Sequence, residues 1–166
     1  VTQAGEQRND NALQHTLLWC PPGEFAMGSP RGEKNRSTNE TQVAVELTHG
    51  FWLGKHEVTQ GGFTKVMGTS PWQGKKDVKE GANIAASYIS HDDAVEFCRK
   101  FTTSERAAAR LGEMDAYTLP SEAQWEYACR AGSDSNFCFG GGKQMLIEYA
   151  WYNENSNDTT HPVGKK

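Results

Sequence analysis

The strongest periodicity in the chain runs from Ser90 towards Leu111, where Ala94, Phe97, Cys98 and Phe101 recur at steps of three and four. Such steps place all four on one face of a helix. Ser90, with Asp93 three residues on, forms a capping box, and Asp92 and Asp93 suit the positive end of the helix dipole. The pattern predicts a helix to about Leu111 with a break near Thr102. A second helix is predicted from Ser121, because Pro120 disfavours helical geometry at Leu119 and the pair Ser121 and Gln124 repeats the capping box. Trp125, Ala128, Cys129 and Gly132 share its apolar stripe, which predicts Trp125 and Cys129 in the core and Gly132 as a left-handed cap. Glu126 and Arg130 stand four apart in the favourable order. Thr59 caps a third helix through about Met67, which Gly61 and Gly62 weaken by roughly 1 kcal/mol each relative to alanine.

A period of two marks the strands. Val43, Val45 and Leu47 alternate with Ala44 and Glu46, and "LLWC" and "EFAMGS" read as two short strands around a Pro-Gly turn. The opening stretch, Val1 to Asn11, is polar and aperiodic. The expected division is a tail or linker over residues 1–12 and a domain over 13–166. The segment "GTSPWQGKKDVKEGANIAA" is a long loop, of the kind that is often functional.

A chain of 166 residues, 36% hydrophobic and with 17 glycines, suits a globular domain. Its net charge of −4 argues against a nucleic-acid binder. Nothing in it approaches the run of about 20 apolar residues that a membrane span requires. Cys20, Cys98, Cys129 and Cys138 are too dispersed for a paired C-x-x-C zinc site and too few for a disulfide scaffold. His15, His49, His56, His91 and His161 show no H-x-x-x-H pair and are read as structural or surface residues. Asn153, Asn155, Asn157 and Asp158 crowd oxygen ligands together without the order of an EF-hand, so calcium on Asn153, Asn155 and Asp158 stands beside a plain turn as a second reading.

Five motifs in order, "PPGEFAMGSP", "FWLGKHEVTQGGFTKVM", "YISHDDAVEFCRKFT", "YTLPSEAQWEYACRAG" and "AWYNENSNDTTHPVG", resemble the formylglycine-generating enzyme family, also called the sulfatase-modifying factor family. The resemblance spans roughly Leu17 to Gly164. It implies an α+β, C-type-lectin-like formylglycine-generating enzyme fold, loop-rich, with two packed helices and short strands. It also implies that the helix beginning at Ser121 packs into the centre of the domain. Family domains continue past the point matching "HPVGKK" into the segment that carries two copper-binding cysteines. The chain is therefore expected to be truncated at its C-terminus, to lack the catalytic cysteines and to bind no copper itself.

Cys98 and Cys129 match helix positions that some members use for disulfides to the C-terminal half, which marks them as structural cysteines. Some members bind calcium through an asparagine directly after the alanine matching Ala150, where this chain has Trp151 and places Asn153 two residues later. The absent half is expected to leave the helices burying Phe97, Phe101 and Trp125 short of cover. Two functions follow from the resemblance: part of an oxidase that converts a substrate cysteine to formylglycine, or a non-catalytic lectin-like module that binds or displays a peptide or protein ligand. The compartment stays open, with a secreted or periplasmic place favoured.

Overall fold

The computed structural model describes residues 2–140 and 142–166. Its elements run β1 (Gln7–Arg8), β2 (Leu17–Cys20), β3 (Gly23–Met27), β4 (Val43–Leu47), β5 (Phe51–Gly54), α1 (Gln60–Met67), α2 (His91–Ala107), α3 (Glu122–Arg130), a 3-10 turn (Lys143–Met145) and α4 (Leu146–Tyr149). This is an α+β fold with short strands in two small sheets, ordered β1-β2-β5 and β3-β4. The strands β2 and β3 exist as expected, but they do not pair with each other. The turn at Pro21 and Pro22 sends consecutive strands into different sheets, since proline has no amide with which to continue a ladder. Among the described residues no helix is long and apolar enough to cross a membrane.

The chain divides into two compact units. One comprises the chain up to Gln7, Leu18–Leu53 and Pro120–Met145. Here β3 and β4 pair antiparallel, with Phe25 opposite Val45, Met27 opposite Val43 and Glu24 opposite Glu46. The alternation places Phe25, Val45 and Leu47 on the half-buried face and both glutamates outside. Helix α3 packs on that face through Tyr127, whose ring meets Phe25 edge-on at 5.4 Å. Gly23 makes room for it: a Cβ there would sit 2.5 Å from the Tyr127 hydroxyl.

The capping box of α3 forms as expected, with Ser121 and Gln124 exchanging hydrogen bonds. The orientation differs from the expectation. Trp125 is 58% exposed, Cys129 is exposed, and no residue of α3 is fully buried. The rotation of the helix is set by its polar neighbours. Glu126 accepts from the Gly28 amide at 2.8 Å, Arg130 donates to the Gly28 carbonyl at 2.7 Å, and the two side chains bond each other at 2.8 Å. This clamp faces the Glu126, Tyr127 and Arg130 side towards β3 and turns the Trp125 stripe away. The left-handed cap falls on Ala131, at φ 47°, one residue before the expected Gly132, which also has positive φ.

The other unit comprises Arg8–Leu17, Gly54–Leu119 and Leu146–Lys166. Its core is an aromatic cluster of Phe63, Trp72, Phe97 and Phe101, all at most 6% exposed. Phe63 of α1 stacks on Phe97 of α2, with centroids 5.7 Å apart and planes within 4°, and Trp72 closes on Phe63 from the long loop. The helical stripe read from Ala94 to Phe101 is therefore the packing face, and Cys98 lies half-buried against it. Helix α2 ends at Ala107 rather than near Leu111 and runs unbroken past Thr102. Thr102 causes no break because its hydroxyl is satisfied across the fold. It accepts from the Tyr117 amide at 2.9 Å and donates to the Tyr117 carbonyl at 3.3 Å.

Candidate functional site

The segment expected as a polar tail carries β1 and, at Asn11, a residue only 5% exposed that organises a tight turn. The Asn11 side-chain oxygen accepts from the amides of Leu13 at 3.2 Å and His15 at 3.0 Å, and its nitrogen donates to the His15 carbonyl at 2.7 Å. The Gln14 amide returns to the Asn11 carbonyl at 2.9 Å, with Gln14 held at φ 52°. Two further groups grip the turn. The Ala12 amide donates to both Glu105 oxygens at 3.3 Å, and Lys65 of α1 donates to the Ala12 carbonyl at 2.6 Å. His15 is thus presented by a turn fixed on three sides.

His56 approaches from the segment after β5, where the Lys55 amide donates to the Thr16 carbonyl at 2.9 Å. Two glycines shape this neighbourhood. A Cβ on Gly54 would stand 2.6 Å from Nε2 of His15 and 3.1 Å from the His56 carbonyl oxygen. A Cβ on Gly164, which has φ 68°, would stand 2.9 Å from Cε1 of His56 and 3.1 Å from its Nε2. Both imidazoles line a cavity of about 350 Å³, together with Leu13, Val58, Ala82, Asn83 and Val163. Burial, and secondarily the nearby His56, lowers the His15 pKa. His15 is accordingly neutral at neutral pH, with one ring nitrogen carrying a lone pair.

The start of α1 also borders the cavity, but its amides are all engaged. Gly62 donates to the Thr59 hydroxyl at 3.1 Å, Phe63 to the Thr59 carbonyl at 2.8 Å, Gln60 to the Ile84 carbonyl at 2.7 Å and Gly61 to the Ala82 carbonyl at 3.2 Å. The helix start is therefore closed as an anion cradle. Gly61 belongs there because a Cβ would lie 3.0 Å from the Ala82 oxygen. The close approach accounts for Gly61, whereas a Cβ on Gly62 would meet only ordinary contacts, the nearest the Thr59 hydroxyl at 3.4 Å.

The residues singled out from sequence lie elsewhere. Asn155 builds a turn, accepting from the Tyr152 amide at 2.8 Å and donating to the Ala150 carbonyl at 2.8 Å, while Asn153 and Asp158 are exposed. Among the described residues no three His, Cys, Asp or Glu side chains converge as a metal cluster. All four cysteines are free thiols. Burial raises the pKa of Cys20, Cys98 and Cys129, and Cys138 nearby raises that of Cys129 further, so these three are protonated at neutral pH. His15 and His56 were legible in the sequence only as isolated histidines, and the sole local hint was a glycine two residues before His56 and another at Gly164.

Residues 2–166 match the family described as the sulfatase-modifying factor enzyme 1-like domain. A curated relative, the chaperone protein LppX of Paenibacillus barcinonensis, is 27% identical over 159 residues, covering 70% of this chain and 55% of its own length. The chain thus spans a little over half of that relative. Among solved structures, PvdO from Pseudomonas aeruginosa aligns with a TM-score of 0.70 at 23% identity, over 86% of this chain and 57% of that one. Treponema denticola variable protein 1 aligns with a TM-score of 0.76 at 23% identity, over 97% of this chain and 69% of that one. At such identity the two structures establish the shared fold.

Proposed function

The chain belongs to the sulfatase-modifying factor enzyme 1-like domain family, and on that premise we propose that it serves as a binding module whose ligand, a peptide or protein segment, enters the histidine-lined cavity. The observation that carries this reading is the cavity itself. It has the size of a small-ligand site and is lined by apolar Leu13, Val58 and Val163 and by polar His15, His56 and Asn83. One relative is named as a chaperone protein, which accords with a protein segment as ligand.

A second reading, the N-terminal part of a formylglycine-generating oxidase, is favoured by the enzyme in the family's description. One experiment separates the two. The protein is incubated with a Cys-x-Pro-x-Arg peptide, copper and oxygen and followed by mass spectrometry, while a displayed peptide library is selected on the same protein and on Ala82→Trp. Ala82 is exposed on the cavity wall, so the indole fills the site without removing a buried contact. The binding reading expects an unaltered cysteine and enriched peptides that Ala82→Trp fails to retain. Appearance of the aldehyde mass would establish the oxidase instead.

A further inference from the structure

Cys129 and Cys138 are exposed free thiols, whereas Cys20 and Cys98 are half-buried. Cys129 lies in the last turn of α3, beside Arg130, so its backbone is fixed by the bonds of Glu126 and Arg130 to Gly28. The chain reverses directly after it. Ala131 and Gly132 both take left-handed backbone angles, φ 47° and 82°, and the Ser133 amide donates to the Arg130 carbonyl at 2.9 Å. Ser133 also holds the return. Its hydroxyl accepts from the Ser135 amide at 3.1 Å and donates at 3.4 Å to the carbonyl of Phe137, the residue before Cys138. Gly140, at φ 68°, closes a last turn by donating to that same carbonyl at 2.9 Å, and the rings of Phe137 and Phe139 stack 5.0 Å apart. The loop after α3 is thus folded back on the helix end by bonds of its own. The second thiol is electrically felt by the first: Cys138 raises the Cys129 pKa further after burial has raised it, a like-charge effect that fades with distance.

We propose that Cys129 and Cys138 are an oxidation site, the two thiols joining in an intrachain disulfide that ties the 131–140 loop to the end of α3. Both sulfurs belong to one compact unit, and both are open to a reagent from solvent. The co-reactant is a low-molecular-weight disulfide of the oxidised glutathione class. One protein thiolate attacks a sulfur of that reagent and releases a small thiol; the other protein thiolate then attacks the protein sulfur of the mixed disulfide and releases the second. Two protein thiols and one small disulfide become one protein disulfide and two small thiols, so protons and electrons balance. The bond persists in oxidising surroundings and opens in reducing ones. The resemblance drawn from the sequence gives Cys129 a partner in a later segment, whereas the fold supplies one nine residues away. Cys129 follows Trp125 by four residues, so the bridge stands one helical turn from that exposed ring.

The test equilibrates the full chain with reduced and oxidised glutathione at about pH 8.5, near the ordinary thiol value, then blocks remaining thiols by alkylation and digests with trypsin without reduction. Cleavage after Arg110, Arg130 and Lys143 puts the two cysteines in separate peptides, residues 111–130 and 131–143. A linked pair of these peptides, lighter than their sum by two hydrogens, is expected, with the protein running as a monomer on a non-reducing gel. Cys138→Ser should abolish the linked pair. Thiols nine residues apart also meet by chance in an unfolded chain, so the equilibration is repeated in urea. At the same glutathione ratio, the proportion of bridged to reduced protein should be higher in the folded chain by on the order of ten-fold or more, the gain of holding two groups together. Separate glutathione adducts on the two peptides, a link found only between chains, or no gain over the urea-unfolded protein overturns the pairing.

Discussion

Glu105 and Arg110 form a two-pronged ion pair, with hydrogen bonds of 2.9 and 2.7 Å, in which the carboxylate side chain is 1% exposed and the guanidinium 39%. The same carboxylate takes the Ala12 amide, so the pair anchors the turn that presents His15. A buried carboxylate without such partners would carry a large desolvation cost.

Replacing Glu105 with alanine should therefore cost about 2–3 kcal/mol, below the full penalty for a broken buried pair because Arg110 can turn to solvent. The pH dependence has a definite sign. The hydrogen bond from Arg110, then the Ala12 amide and the positive charges of Arg110 and Lys65, lower the Glu105 pKa. A lowered folded pKa gives stabilisation that is complete above the unfolded value of about 4.3 and is lost as pH falls through the folded value. Denaturant midpoints measured from about pH 6 to about pH 3 should fall less steeply in Glu105→Gln than in the parent; parallel curves would count against this role.

Gly54→Ala should collide with Nε2 of His15 and the His56 carbonyl, since the new Cβ would lie 2.6 and 3.1 Å from them. Overpacking of this kind typically costs about 1–3 kcal/mol. Histidine ring resonances in NMR spectra should move for His15 and His56 and stay in place for His49.

Phe63 is 1% exposed and meets both Trp72 and Phe97. Phe63→Ala should remove about 3–5 kcal/mol of stability, with near-ultraviolet circular dichroism reporting loss of the ordered Trp72 environment. A loss under about 1 kcal/mol would contradict a core centred on this ring.

Trp125→Ser should change stability within about 0.5 kcal/mol, the usual range for a surface site, instead of the 3–5 kcal/mol lost from a buried tryptophan. The parent should bind a hydrophobic dye more strongly than the variant, because Trp125 is 58% exposed. Unchanged dye binding would show that the ring contributes no apolar surface.

What the sequence made legible is what depends on near neighbours. The caps at Thr59, Ser90 and Ser121 formed as read, because a cap involves residues within one turn. The stripe from Ala94 to Phe101 and the alternation from Val43 to Leu47 were also legible, being periodic over several residues. The facing of Trp125 was not, because it is decided by the Gly28 peptide, distant in sequence, which Glu126 and Arg130 grasp. Asn11 looked like part of a polar tail, and its burial depends on closing a turn that Glu105 holds from another part of the chain. The candidate site was hidden for the same reason: His15 and His56 sit on loops, where no period links them, and only the folded backbone brings both to one cavity.

Glu24 and Glu46 face each other across the β3-β4 ladder, a pairing of like charges that weakens a two-stranded sheet. Among the described residues that sheet has no third strand, so each strand has one edge without a ladder partner. The acidic pair guards against such addition. Copies stacking edge to edge would align carboxylates in a column, and that repulsion disfavours aggregation through an edge that the alternating Phe25, Val45 and Leu47 would otherwise make adhesive.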